Sequence, residues 1–351
     1  MTATLPAPQR VERELALLAE RDLAPHELRL ACMDRISDAL PAAGWCFATA
    51  DPDTLVMTAH VTRNVDRSKA PLIYHNEYAQ ADVGKHAELA VARRPVRVLS
   101  RATGGDLESS PRYREVLRPM GVEHELRAAV RHGATTWGFL HLFRAPGQPD
   151  FGPEEVAWVE RVTRGLADVT RRSVVGRAVD AVPASLAPSL MLIDADNRLA
   201  ESTPGGHAWA AALRDPEQEA YEVPEVVVTL AAWARALAAQ GSTDVARSRV
   251  PGTDGAWYSA QASCTDSGRV AVIVQGAQPA ELVPLLLTRL GLTPAERQLT
   301  EHVLGGGSTK QIAADLVISP HTVQDRLKSI FDKAGVRSRR ELVAQLSAGA
   351  A

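Results

Sequence analysis

Near the C-terminus the chain writes three helix starts with one device. Thr293-Pro294-Ala295-Glu296, Ser308-Thr309-Lys310-Gln311 and Ser338-Arg339-Arg340-Glu341 each place a hydroxyl at the N-cap and Glu or Gln three residues later. That pairing satisfies two orphan backbone N–H groups reciprocally, and Pro294 at the first helical position adds to the first start. Ser319-Pro320 opens a further helix in the same way, with Thr322 in the third place, and only Val317-Ile318-Ser319 separates it from the helix before. Helices this short bury their apolar residues by sharing one small core. Leu299 and Val303, then Ile312, Ala313 and Leu316, then Val323, Leu327, Ile330 and Phe331, then Leu342, Val343 and Leu346 supply it, with Ile318 placed to plug it.

A three-residue turn between two short helices is the geometry of a helix-turn-helix, whose second helix can enter the DNA major groove. At 100° per residue, Val323 and Leu327 facing inward put His321, Gln324, Asp325 and Lys328 on the opposite side, flanked by Thr322 and Arg326. Any surface helix divides in this way, so charge is needed to separate the alternatives. From Thr288 on, nine basic residues stand against six acidic ones, a local charge of +3 in a chain of formal net charge -3. The whole molecule is therefore not drawn to polyanions, and any nucleic-acid contact is local to this module.

The 351 residues exceed what one hydrophobic core usually organises, and 45% hydrophobic with 23% charged residues is an ordinary globular composition. Cys32, Cys46 and Cys264 are widely separated, without CxxC or Cys/His metal spacing, which predicts reduced thiols and neither a disulfide scaffold nor a zinc site. No signal-peptide pattern opens the chain. No run reaches the ~20 apolar residues of a membrane span, because Arg235 breaks the most apolar one. A cytoplasmic protein without a membrane partner is expected.

Upstream, Val11, Leu15 and Leu18, then Leu28, Cys32 and Ile36, recur at helical spacing. The period then shortens to strand-like runs, joined around Asp51-Pro52-Asp53 and around His132-Gly133-Ala134. Val156, Val159, Thr163, Leu166 and Thr170 form a narrow stripe on a long helix over 155–180, a candidate for dimerisation or for packing on its own sheet. A second α+β unit over roughly 183–278 begins with a strand, an Asp-Asn turn and a strand, and ends in three strands turning at Asp254-Gly255 and Ser267-Gly268.

Catalytic chemistry finds no support. In Gly305 to Lys310 the Lys is not followed by Ser or Thr, so the run reads as a glycine stop and a helix cap, not a phosphate loop. His124-Glu125 does not continue to HExxH, and neither GxSxG nor GxGxxG occurs. Glu154-Glu155 follow Pro153 at a helix start, where carboxylates complement the dipole. Cys46 lies inside an expected strand as a structural thiol.

The run from Leu292 to Leu342 resembles the LuxR-type, or GerE-like, helix-turn-helix of bacterial transcription factors. It has Leu-Thr-Pro-x-Glu, Ile-Ala-x-x-Leu, Ser-Pro-x-Thr-Val and Gly-Val-x-Ser-Arg in order and at family spacing. The resemblance implies a four-helix domain that binds double-stranded DNA as a homodimer on inverted half-sites. It places Gln324, Asp325 and Lys328, with His321, toward the bases, and Lys310, Ser319, Thr322, Arg326 and Arg339 along the backbone. The family often has His where this chain has Arg326. Upstream, Trp137 to Val169 resembles the last strand and closing helix of a GAF domain, and Leu190 to Thr203 with Gly255 to Gln275 resembles the first and last strands of a PAS domain.

The expected fold is thus multidomain α+β: an N-terminal helix over 1–24, a GAF-like unit over 25–180, a PAS-like unit over 183–280 and the all-α domain over 288–351. The implied protein is a regulator whose sensor units bias two DNA-binding heads. RNA polymerase is a further candidate partner, and a small-molecule ligand in either sensor unit the candidate cofactor, its identity unassigned. The alternative is a signalling adaptor whose C-terminal module binds a protein instead of DNA. Asp325 would accept from cytosine N4 or hold Lys328 or an Arg in one rotamer.

Overall fold

The computed structural model describes residues 5–179, 186–214 and 223–348. Helices α1 (Pro8–Ala19) and α2 (Pro25–Ala39) open the chain, each with proline in its first turn, and bury the apolar positions that their spacing predicts. Strands β1 (Gly44–Ala50) and β2 (Met57–Arg63) form a hairpin. Then come α3 (Ala70–Tyr78), α4 (His86–Val91), β3 (Val96–Val98), α5 (Leu99–Ala102), β4 (His124–His132), β5 (Thr135–Arg144) and the 27-residue α6 (Pro153–Val179). The five strands pair antiparallel in the order β2-β1-β5-β4-β3. The last strand and closing helix that carried the GAF resemblance are β5 and α6.

Strand alternation sorts the sheet into two faces. Trp45, Phe47, Leu126, Ala128, Val130, Leu140 and Leu142 share one apolar core with α1, α2 and α6. Glu125, Arg127 and His141 point the other way and are nevertheless buried. Cys46 lies in β1 as expected and is half-buried, whereas Cys32 is fully buried and its thiol is pushed up to about 12 by burial.

The stripe on α6 packs within the chain. Val159, Thr163, Leu166 and Thr170 are buried, and α6 lies against α1 and β4. The approach is close at Gly165, where an added Cβ would sit 3.1 Å from Glu12 Cγ. Of the two fates open to this stripe, packing on its own unit is the one observed, because α1 returns to cover it. Among the described side chains, the exposed face of α6 carries Glu154, Ala157, Arg161, Arg164 and Arg172 and offers no apolar seam to a second copy.

A second sheet follows: β6 (Ser189–Ile193), β7 (Leu199–Ser202), α7 (Gly206–Ala212), α8 (Glu225–Ala239), β8 (Ala246–Pro251), β9 (Trp257–Cys264) and β10 (Val270–Gly276), in the order β7-β6-β10-β9-β8. Counted within its unit, that is the strand order of the first sheet. Gly255 (φ 84°) and Gly268 (φ 80°) supply the left-handed turns. The expected boundary at 180–183 lies outside the described residues.

The apolar α8 is covered on two sides, by its own β8 and β9 and by α3 and β2 of the first unit. Ala48, Met57, Ala70 and Tyr74 accordingly share one core with Val227, Leu230 and Ala231. Arg235, which broke the apolar run, reaches out to Asp194 O (2.6 Å) and Asn197 Oδ1 (2.8 Å) and fastens the β6–β7 turn.

The segment that joins this unit to the final module is itself a helix, α9 (Pro279–Arg289). It packs against α6 and against the last of the four helices that follow: α10 (Pro294–Leu304), α11 (Thr309–Asp315), α12 (Pro320–Ala334) and α13 (Arg339–Ala348). Leu282, Leu285 and Leu286 make one continuous core between the first unit's helices and this bundle. Among the described residues no helix is long and apolar enough to cross a membrane.

Candidate nucleic-acid interface

Three cap devices position the recognition elements. Thr293 Oγ1 accepts from Glu296 N (3.3 Å) while Glu296 Oε2 accepts from Thr293 N (2.7 Å), and Ser308 and Gln311 repeat the exchange at 3.3 and 2.8 Å. Ser319 Oγ accepts from Thr322 N at 3.0 Å and so starts α12. Each cap is worth about 1 kcal/mol. The turn is closed by Val317 N to Ala314 O (3.2 Å) and Ile318 N to Ala313 O (3.0 Å). It forces Val317 to φ 52° at 90% exposure. A β-branched residue there costs roughly 1–2 kcal/mol and gains no packing in return. Ile318 is half-buried on the core, as its position predicts.

Helix α12 divides as its phasing requires. Val323, Leu327 and Ile330 are buried, each such side chain contributing about 1.5–3 kcal/mol by burial, and Thr322 and Arg326 flank them half-buried. His321, Gln324, Asp325 and Lys328 form the exposed face. Asp325 pairs with His321 (3.7 Å) and not with Lys328, because the i,i+4 partner lies one turn back on the same stripe. At 84% and 66% side-chain exposure that pair is worth a few tenths of a kcal/mol at most. Gln324 and Lys328 make no hydrogen bond among the described residues, so their polar groups stand open to a partner.

The residues expected along a nucleic-acid backbone are placed unequally. Lys310 is exposed in the first turn of α11 and Ser319 is exposed at the cap. Arg339 spends one nitrogen on Val303 O (3.1 Å) and Gly307 O (2.6 Å), which ties α13 to the end of α10. Its guanidinium therefore has an internal structural task that spacing did not reveal.

Two features escaped the sequence reading. Glu296, visible only as a cap residue, is 6% exposed and also accepts from Ser329 Oγ (2.7 Å) and Lys333 Nζ (2.6 Å) of α12. Burial pushes its carboxyl up, but the Lys333 ammonium, with the Thr293 and Ser329 donors, outweighs burial and holds it at about 2. One carboxylate thus fixes the start of α10 against the second half of the recognition helix.

The other is a junction. Arg249 of β8 donates to Asp51 through its backbone N (2.8 Å), Nε (3.1 Å) and NH2 (2.5 Å), to Asp53 (2.6 Å), and through NH1 to the carbonyl of Glu281 in α9 (2.8 Å). Both sheet units and the helix leading to α10 meet on one buried guanidinium. The Asp51-Pro52-Asp53 signal predicts a turn but not its partner, 198 residues on.

The second face of the first sheet carries a buried polar network. Arg127 donates to Glu77 (2.8 Å), to Gly84 O (2.9 Å) and toward His86, and Arg112 donates to Glu125 (2.9 Å) and Val83 O (3.3 Å). His86 and His141 touch through their Nε2 atoms at 3.1 Å, so one ring donates to the other. Burial, then Arg127, keeps His86 well below and His141 below the ordinary imidazole range. Glu125 is pushed up by burial but held at about 2 by Arg112 and its other donors. Glu77, Asp82 and Glu125 balance Lys85, Arg112 and Arg127, and the gap lined by Arg97, Arg112, Glu125 and Arg127 is too small for a water molecule. Among the described residues no cluster of His, Cys, Asp or Glu could hold a metal ion.

Residues 290–346 match the model of the family described as bacterial regulatory proteins, luxR family. The spore germination protein GerE of Bacillus subtilis (strain 168) is 36% identical over 55 residues, which are 16% of this chain and 74% of that protein. Among solved structures, the GAF domain of an Acinetobacter phosphoenolpyruvate-protein phosphotransferase is 11% identical with a TM-score of 0.34, covering 49% of this chain and 99% of that one. Escherichia coli SdiA is 10% identical with a TM-score of 0.33, covering 97% of both chains.

Proposed function

The chain belongs to the luxR family of bacterial regulatory proteins, and from that premise we propose that it is a cytoplasmic regulator that binds inverted-repeat double-stranded DNA as a homodimer. His321, Gln324, Asp325 and Lys328 read base edges. Lys310, Ser319, Thr322 and Arg326 follow the phosphates, with Arg339 contributing what its internal bonds leave over. The DNA-binding domain runs over 288–351. The units over 25–180, preceded by the N-terminal segment 1–24, and over 183–280, the latter PAS-like, respond to a ligand or partner and bias the two heads, and RNA polymerase is the partner served downstream.

One observation carries this reading. The exposed stripe of α12 presents donors and acceptors of several kinds on a helix whose other side is locked into its core by Val323, Leu327 and Ile330. Rigid support with open polar ends is what base readout needs. Arg249 supports the coupling, because it joins both sheet units to α9.

The test is selection of bound fragments from genomic DNA by the full chain, followed by titration at increasing salt. Enrichment of a two-fold symmetric motif, with affinity falling steeply between low and moderate salt, is the expected result. If no motif is enriched and binding does not respond to salt, the C-terminal module binds a protein instead.

A further inference from the structure

The sheet of the second unit has one face packed under α8, which buries Val270, Val272 and Val274 of β10 together with Met191 and Ile193 of β6. Alternation sends Leu190 and Leu192 of β6 and Ala271 and Ile273 of β10 to the other face, where Leu190 is 37% and Ile273 48% exposed. Those two are register partners, and Leu192 with Ala271 is another such pair. Four apolar side chains therefore adjoin on neighbouring inner strands, with Gln261 and Ser263 of β9 exposed beside them. The far end of the same face is already an interface within the chain: Ser259 donates to Glu281 of α9 (2.8 Å), and Arg249 to Asp51 and to the carbonyl of Glu281.

The edges of the open part carry opposite charges. At one edge Glu201 of β7 stands opposite Leu192, and at the other Arg247 of β8 stands opposite Gln261, itself opposite Ile273. Arg247 is exposed and makes no hydrogen bond or ion pair among the described residues. Glu201 meets Arg269 at 2.9 Å, but with side chains 68% and 44% exposed that pair holds it weakly. A surface ordered acid, apolar, cation is complementary to itself. A two-fold axis parallel to the strands, between β6 and β10, lays Leu190 over Ile273 of a second copy and brings Arg247 alongside that copy's β7, where Glu201 stands. Closed two-fold pairs of this kind are the commonest homo-oligomers.

We propose that this face, centred on Leu190 and Ile273, is the surface through which two copies of the chain associate. The proposal rests on the homodimer reading above and gives it a place, which the polar outer face of α6 does not offer. The open part is five strands wide and about two outward residues long, ~24 Å by ~13 Å. It buries roughly 300 Å² per chain, less than half the ~800 Å² of a standard interface. The dimer is therefore weak in solution, and two heads held on one duplex supply the rest of the affinity. Because β10 runs directly into α9, which packs on α13, pairing of the sheets sets the separation of the two heads.

The experiment is sedimentation equilibrium of the full chain without DNA, at micromolar concentrations, where the parent should show a reversible monomer–dimer equilibrium. Ile273→Glu sets a carboxylate against Leu190 on both sides of the axis and should raise the dissociation constant about a hundred-fold. Arg247→Glu and Glu201→Lys change exposed edge residues, so they carry the test should Ile273→Glu fail to fold. Each alone should weaken the dimer about ten-fold by facing like charges. An equimolar mixture of the two should regain the parent's affinity, because in the mixed dimer every edge again meets its opposite charge. If Ile273→Glu or Arg247→Glu dimerises like the parent, the interface is overturned and the homodimer reading stands. A mixture no tighter than its components also overturns it. A parent that is monomeric throughout overturns the interface as well, and a two-fold symmetric motif in the DNA selection would then keep the homodimer reading on another surface.

Discussion

The exposed stripe of α12 and the buried polar face that β4 and β5 share with α4 are made from the same kinds of residue and use them in opposite ways. His321, Asp325 and Lys328 stand in water with one weak pair among them. His86, Glu125 and Arg127 are buried, and each is held by named partners at 2.6–3.1 Å. In water a charge is inexpensive to keep and free to meet a partner. In a core it is tolerable only when opposite charges and donors surround it. The first arrangement suits reading and the second suits locking.

That contrast breaks most visibly through Arg127→Met, which strands the buried Glu77 without its guanidinium and leaves Glu125 with Arg112 as its one guanidinium, and should cost about 3–5 kcal/mol in urea unfolding of the full chain. Lys328→Met should change stability by less than about 0.5 kcal/mol. Similar losses from the two would erase the distinction.

Next in size is Glu296→Gln, which should cost roughly 1.5–3 kcal/mol at neutral pH through its bonds to Lys333 and Ser329. The folded carboxyl is held at about 2. Its contribution is therefore complete above the unfolded value near ~4.3 and disappears as pH falls through the folded one. Parent and variant unfolding curves should converge toward pH 2, and a constant gap would contradict the assignment.

The buried imidazoles sharpen the same contrast more gently. His86 and His141 resist protonation in the fold, while the unfolded chain takes up those protons below pH ~6.5. Their stabilising effect is present above that pH and is lost as pH falls. Stability should decline by up to about 1.4 kcal/mol per pH unit for each ring, and a flat profile between pH 7 and 5 would refute it. Smallest is Val317→Gly, which relieves a left-handed β-branched residue with no packing to lose. It should raise stability by about 0.5–1 kcal/mol, read as a higher thermal midpoint.

The parts legible in the sequence are those with local causes. Thr293 with Glu296, Ser308 with Gln311 and Ser319 with Thr322 announce helix starts within three residues, and the 3.6-residue period of Val323 and Leu327 sorts the face of α12 without any tertiary knowledge. Gly133, Gly255 and Gly268 mark turns because their backbones need φ > 0.

What stayed hidden depends on partners far along the chain. Arg249 meets Asp51 across 198 residues, Lys333 meets Glu296 across 37, and α1 covers the α6 stripe from the other end of the first unit. Alternation of Glu125 and Arg127 with Leu126 and Ala128 is written identically whether the polar face meets solvent or a buried network, so pattern alone could not tell which. The apolar patch across β6 and β10 has the same cause: Leu190 and Ile273 meet only through strand pairing.

The central claim is that the open stripe of α12 reads DNA sequence while Lys310 grips phosphate, and the measurement that tests it most directly is affinity across a randomised DNA library for the parent, Asp325→Ala and Lys310→Ala. Asp325→Ala should re-rank the preferred sequences, with shifts of about 1–3 kcal/mol at one base position. Lys310→Ala should weaken every sequence alike and reduce the salt slope by about one. Uniform losses from both variants, with the sequence ranking unchanged, would contradict it.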